Sequence, residues 1–159
     1  MKERAERTAR ASRRELNLTR IFDAPRELVW KAWTDSRMLA QWWGPRDFDN
    51  PLCQIDVRPG GAIRIHMRGP DGVVYPMTGV FHEILPPERL VFTSWAFMGD
   101  EITPLFEVLN TVIFEEAGSK TRLTLKAVVD KAMPGSEGPL SGMEQGWSQS
   151  LQKLAELLS

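Results

Sequence analysis

The sequence predicts an α+β fold: a curved antiparallel sheet of six to seven strands wrapped around a long C-terminal helix, with two short helices after the first strand. Three observations carry this. From residue 50 to residue 129, segments with apolar alternation are broken by turn signals, which is the pattern of consecutive strands. The chain then closes on one helical stripe, Met143, Trp147, Leu151, Leu154 and Leu158, spaced by three or four residues. Before the strand run, two short segments carry apolar residues at helical spacing.

Taken in order, Leu16 to Phe22 reads as a first strand. Asp23-Ala24-Pro25 opens a helix, because proline in the first turn lacks only an N–H that would be unpaired anyway. Leu28, Val29, Ala32 and Trp33 follow at helical spacing. Asp35 caps a second helix in which Leu39, Trp42 and Trp43 share a face, and Gly44-Pro45 ends it. Leu52 to Val57 leads into the turn Pro59-Gly60-Gly61. Ala62 to Arg68 and Val73 to Ile84 flank Gly69-Pro70-Asp71-Gly72, read as a four-residue hairpin loop that sets Arg68 opposite Val73 and His66 opposite Tyr75. Arg89 to Phe97 follows Leu85-Pro86-Pro87-Glu88. Phe106 to Glu116 and Thr121 to Val129 form the last hairpin. Pairing Glu116 with Thr121 places Phe114, Val112, Leu123 and Leu125 on one face. Ser141 and Glu144 have capping-box spacing at the head of a helix running to Leu158, about 27 Å at 1.5 Å per residue. That stripe has one large surface to bury itself on, the inner face of the sheet. A helix lying in a curled sheet rarely fills the concavity, so a pocket is expected between them.

Composition sets the limits. The chain has 159 residues, suited to a single domain at residues 16–159 preceded by a basic tail at residues 1–15. In that tail Arg4, Arg7, Arg10 and Arg13 recur every third residue, with almost nothing apolar to bury; it reads as a solvated arm. Lys and Arg total 20 against 21 Asp and Glu, which argues against a nucleic-acid partner. No run reaches the roughly 18 apolar residues of a membrane span, and no secretory signal opens the chain. A single cysteine, Cys53, rules out an internal disulfide, fits a cytoplasmic setting and reads as a half-buried hydrophobe.

The chain resembles the START-like superfamily (SRPBCC, birch-pollen-allergen-like), and within it the C-terminal domain of the heat-shock-protein-90 ATPase activator homologues. The resemblance spans roughly residues 15–158. It rests on Phe22-Asp23-Ala24-Pro25-Arg26-Glu27-Leu28-Val29-Trp30, Trp42-Trp43-Gly44-Pro45, Pro59-Gly60-Gly61, Gly79-Val80-Phe81-His82-Glu83-Ile84 with Pro86, Pro87 and Leu90, and Gly146-Trp147. It implies the helix-grip fold and a hydrophobic cavity. It leaves function open, because relatives include carriers, receptors, cyclases, resistance proteins and co-chaperone domains.

The residues expected to line such a cavity are Trp42, Trp43, Phe48, Ile65, His82, Phe92, Phe114, Met143, Trp147 and Leu151, with Arg64, His66, Tyr75 and Glu83 as a candidate polar rim. Trp42 and Trp43 are adjacent, so one of the pair is expected at the cavity mouth. His82 depends on parity. A β-hairpin loop of odd length after Ile84 turns Val80, His82 and Ile84 inward, an even one turns Phe81 inward, and the odd loop is preferred. Glu83 reads either as a carboxylate buried in an apolar strand or as half of a surface ion pair. Arg64, His66 and Arg68 form either an anion-binding row or the solvated side of a strand whose other side is core. No metal-ligand spacing, phosphate-binding loop or nucleophile elbow is present, so no cofactor, metal or catalytic set is expected.

Three functions follow in order of preference. The first is a binder of a small hydrophobic or aromatic molecule. The second is a co-chaperone-like module contacting a chaperone or another protein, although residues 1–15 are too short to supply the second domain such activators carry. The third is a cyclase- or hydrolase-like enzyme using Glu83, His66 or His82. The apolar loop Phe97 to Leu105 suits a pocket entrance or a homodimer contact.

Overall fold

The computed structural model describes residues 14–97, 104–132 and 142–159. The chain runs β1 (Arg14–Phe22), α1 (Arg26–Thr34), α2 (Ser36–Trp42), β2 (Asp49–Ile55), β3 (Ala62–Arg68), β4 (Val74–Leu85), β5 (Arg89–Ala96), β6 (Phe106–Ala117), β7 (Lys120–Ala132) and α3 (Met143–Leu158). The strands form one seven-stranded antiparallel sheet in the order β1-β7-β6-β5-β4-β3-β2. Residues 1–13 of the basic tail lie outside the described residues, while Arg14 and Glu15 already belong to β1, opposite Val129 and Val128.

This order explains the two short helices. β1 and β2 are consecutive in the chain yet sit at opposite edges of the sheet. The connection between them must cross one face, and α1 and α2 make that crossing with Val29, Ala32, Trp33, Leu39 and Trp42 buried beneath them. Asp35 stops α1 and starts α2: its side chain accepts from the backbone N–H groups of Arg37 at 3.0 Å and Met38 at 3.1 Å.

The register of β6 on β7 is as the alternation predicts, with Glu116 opposite Thr121, Phe114 opposite Leu123 and Val112 opposite Leu125. Phe114, Val112, Leu123 and Leu125 are buried, each contributing about 1.5–3 kcal/mol by leaving water.

Two hairpins differ from expectation. In β3–β4, Arg68 pairs with Val74 and Met67 with Tyr75, one residue away from the expected register. The cause is Gly72, whose φ of 86° makes it the left-handed residue after a turn closed by Gly72 N–H donating to Gly69 C=O at 2.9 Å. Such a turn adds a residue and makes the loop odd. Tyr75 therefore shares a face with Met67, Ile65 and Ile63, and His66 faces the other way, opposite Pro76. In β4–β5 the loop is odd, as preferred, and Ile84 pairs with Leu90. A bulge between Phe81 and Glu83 then reverses the alternation, so Phe81 faces Phe92 and His82 turns outward. The exposed His82 Nε2 sits 2.6 Å from Thr93 Oγ1.

The C-terminal helix begins at Met143, two residues later than expected, and its N-cap Gly142 provides no side-chain cap. Ser141, the expected cap, lies outside the described residues. Leu151 and Leu154 are the buried positions of the stripe, and Ser150 is buried beside them.

Candidate functional site

Cross-strand rows on the inner face decide where space is left. At one end, Ile84, Leu90, Val112, Leu125 and Leu18 stand side by side and fill the layer under α1. Towards the other end the rows carry smaller groups: Gly79 beside Ser94, Met77 beside Ala96, and Asn110 beside Ala127. The side chains shrink while the helix layer continues, and a pocket of about 340 Å³ opens there.

One wall is the connection after α2: Trp43, Gly44, Pro45 and Phe48. A second is α3, through Met143, Gly146, Trp147 and Ser150. The floor is Met67, Tyr75, Pro76, Met77, Ser94, Ala96, Phe106, Val108 and Asn110. Trp43 and Trp147 meet edge to face with centroids 5.2 Å apart, and Phe48 lies 6.0 Å from Tyr75. Phe97 and Leu105 also line the pocket; residues 98–103 of that loop lie outside the described residues.

The wall after α2 is tied to α3 by four side chains. Ser150 Oγ lies 2.8 Å from the Gly44 carbonyl and 3.0 Å from that of Gly146. Lys153 Nζ donates to the carbonyls of Gly44 at 3.3 Å, Pro45 at 3.3 Å and Phe48 at 3.4 Å. Gln149 Oε1 accepts from Arg46 N–H at 3.0 Å, and Glu156 pairs with the Arg46 guanidinium at 2.8 Å. Partial burial lowers the Lys153 pKa, and the three carbonyls are what its ammonium receives in place of water. The hydrogen bond from Arg46 lowers the Glu156 pKa, and the one from Arg68 does the same for Asp49 on β2. A carboxylate held below its ordinary pKa stabilises the fold above the ordinary range, and the contribution fades as pH falls through the lowered value. Both acids are exposed, so this effect on the wall is small.

Of the expected cavity residues, Trp43, Phe48, Met143 and Trp147 come together at the pocket, and so does Tyr75 from the expected rim. Trp42, Ile65, Phe92, Phe114 and Leu151 are core instead. Trp42 donates from Nε1 to the Ala32 carbonyl at 2.9 Å. Both adjacent tryptophans are buried because α2 stops at Trp42: Trp43 is extended, at φ −65° and ψ 137°, which swings its ring to the same side. His82 is outside. Glu83 lies on the outer face, 3.3 Å from Arg89. Arg64 and His66 lie on the face opposite Ile63 and Ile65, away from the pocket.

Asn110 is the functional candidate the sequence reading passed over. It is 1% exposed, and its Nδ2 donates to Ser94 Oγ at 3.0 Å. The signal was present: Asn110 is in phase with Phe114 and Val112, two positions further along the same inner face.

Cys53 pairs with Ile65 at the β2 edge of the core, and burial pushes its thiol up to about 11. Against the ordinary 9.0 this leaves roughly a hundredfold less thiolate at neutral pH. Ellman's reagent should react with native protein about a hundredfold more slowly than with urea-unfolded protein. Equal rates would place the thiol in water.

A sheet of this order, helices crossing from one edge to the other, and a pocket under a C-terminal helix define a START-like helix-grip protein. The chain belongs to the family described as Activator of Hsp90 ATPase homolog 1-like protein, whose model matches residues 23–159. Among solved structures, it is similar to a protein of Nitrosomonas europaea, with 29% identity and TM-score 0.75 over 91% of this chain and 93% of that one. It is likewise similar to a protein of Arthrobacter aurescens, with 26% identity and TM-score 0.81 over 91% and 85% of the two chains. A protein of Mycobacterium smegmatis has 26% identity and TM-score 0.76 over 91% and 90%. No curated protein matches the chain.

Among the described residues, no helix is long and apolar enough to cross a membrane. No group of three His, Cys, Asp or Glu among them is placed to hold a metal ion.

Proposed function

We propose that this protein binds a small, mostly apolar molecule in the pocket between α3 and the inner face of β3–β6. The observation that carries the reading is the lining itself: about 340 Å³ walled by aromatic and sulfur-bearing side chains, with Asn110 and Ser94 as its deep polar pair. A volume of this order holds a ring-containing molecule. Met67, Met77 and Met143 adapt their shape to a guest, while Trp43 and Trp147 offer flat faces for stacking.

The test is thermal. Ligand binding to the folded state raises the melting temperature by mass action; a ligand at one hundred times its Kd adds about 2.7 kcal/mol. A panel of planar apolar compounds should contain members that raise the melting temperature, and Ala96→Trp, which fills the pocket from its floor, should abolish those shifts while the protein stays folded. A panel without effect, or shifts that persist in Ala96→Trp, removes the reading.

The family description supports a second reading, a protein-interaction module acting on a heat-shock ATPase. Stimulation of the cognate ATPase by wild type and Ala96→Trp alike would favour that surface role over the pocket.

A further inference from the structure

Gly146 is a glycine that the fold itself does not require. It sits in the first half of α3, where glycine is the least favoured residue after proline. Its conformation is ordinary helix: φ lies outside the left-handed region, and its N–H donates to the Gly142 carbonyl at 2.9 Å. Close packing does not ask for it either. Beyond its neighbours in the helix, a Cβ added there would meet, among the described residues, only Pro45 Cγ, at an ordinary van der Waals distance of 3.7 Å. Gly79 shows what a required glycine looks like: a Cβ there would stand 2.5 Å from the Thr93 carbonyl oxygen. Gly146 shares a helix face with Met143, Trp147 and Ser150, and with them and Pro45 it walls the pocket. The missing side chain leaves bare backbone facing the cavity.

We propose that Gly146 is where α3 touches the ligand: an uncharged aromatic ring rests on the helix backbone, in the space a side chain would take. This deepens the pocket reading and rests on it. Glycine is the residue that lets a backbone come close to a ligand, and the loss of helix stability it brings is the mark of that use. The chemistry of the contact follows from what Gly146 still offers. Its N–H is given to Gly142 and its carbonyl accepts from Ser150 Oγ at 3.0 Å, so its Cα hydrogens are what remains for a guest. An apolar surface of that kind suits a ring rather than a polar group. Among the described lining residues there is no Lys, Arg, His, Asp or Glu, so a charged guest would be left unpaired. The ligand class is therefore a flat, uncharged aromatic molecule, and Gly146 sets the room it has beside α3.

Thermal melts without ligand, and isothermal titration calorimetry at neutral pH with 2-methoxynaphthalene and 2-naphthoate, test this together. Gly146→Ala is expected to melt roughly 2–4 °C above wild type, because alanine suits the helix better. The same variant should bind 2-methoxynaphthalene about tenfold more weakly, because the added methyl takes the ligand's place. Ser148→Ala, at an exposed position of the same helix, should bind it like wild type. Wild type should bind 2-naphthoate about tenfold more weakly than the ether. A lower melting temperature for Gly146→Ala means that the fold needs the glycine and overturns the proposal. Undiminished binding by Gly146→Ala overturns it too, as does an equal loss in Ser148→Ala, which would make helix stiffness the cause. In each of these cases binding by wild type leaves the pocket reading standing. Equal or tighter binding of 2-naphthoate overturns the uncharged class. No binding of either probe by wild type removes the pocket reading and this inference with it.

Discussion

Trp33→Ala is expected to cost about 3–5 kcal/mol of folding stability, enough to leave a domain of this size largely unfolded under mild denaturing conditions. Trp33 is 2% exposed and is the hub of the aromatic cluster. It meets Trp42 at 4.7 Å and 61°, Phe114 at 6.2 Å and 90°, and stacks on Trp147 at 5.9 Å and 16°. These contacts tie α1 to α2, to β6 and to α3, so truncation leaves a cavity that no single element can collapse into. Trp33→Phe should cost much less. It keeps a ring in place and removes an indole N–H that is buried without an acceptor. Urea unfolding of both variants measures the difference. A Trp33→Ala cost within 1 kcal/mol of the Trp33→Phe cost would mean that the cluster is loosely packed, and that Trp147 holds its place at the pocket without Trp33 behind it.

The gap between sequence and structure lies mostly in parity. Element order, the Asp35 cap and the β6–β7 pairing are legible because each depends on local chemistry or on an even loop. Ala117 pairs with Lys120 around Gly118-Ser119, so the two-residue turn and a four-residue loop give the same faces. The β3–β4 hairpin is not legible in this way, because the left-handed Gly72 adds one residue and moves Tyr75 from the rim side to the pocket side. The β4 strand combines an odd loop with a bulge, and each alone would have given the wrong partner for one of Phe81 and Ile84. Nothing in Gly79-Val80-Phe81-His82-Glu83 announces the bulge. The candidate site suffers most from this, since lining a pocket is a statement about faces. Trp43, Phe48, Met143 and Trp147 were legible because helices and their ends are immune to strand register. Asn110 was missed for another reason: a polar residue on an apolar face is easily passed over in a scan for apolar periodicity, although it is the residue such a scan should stop at.

The bulge in β4 is held from outside by the turn before β3, and this gives a second large effect. Gly60 N–H donates to the Phe81 carbonyl at 2.8 Å, and Phe81 N–H donates to the Gly61 carbonyl at 3.0 Å. Gly61 N–H in turn donates to Arg58 C=O at 2.8 Å, folding the chain back on itself. A Cβ at Gly61 would stand 1.8 Å from the Asp56 carbonyl oxygen and 2.9 Å from that of Arg58. Both are backbone atoms, and no rotamer change relieves the overlap; the turn itself must open. Gly60 is the contrast. Its φ of 81° favours glycine, yet a Cβ there would meet nothing within 4 Å. Gly60→Ala should therefore cost about 1 kcal/mol, the ordinary penalty for a left-handed conformation, whereas Gly61→Ala should cost about 3 kcal/mol or more. Urea unfolding of the two variants tests the order. Gly61→Ala should also disturb the Phe81 pairing and, through it, the outward placement of His82, visible as changed NMR chemical shifts of Phe81 and His82. If Gly60→Ala is the costlier substitution, then backbone conformation rather than close approach governs this turn, and the bulge is set within β4 itself.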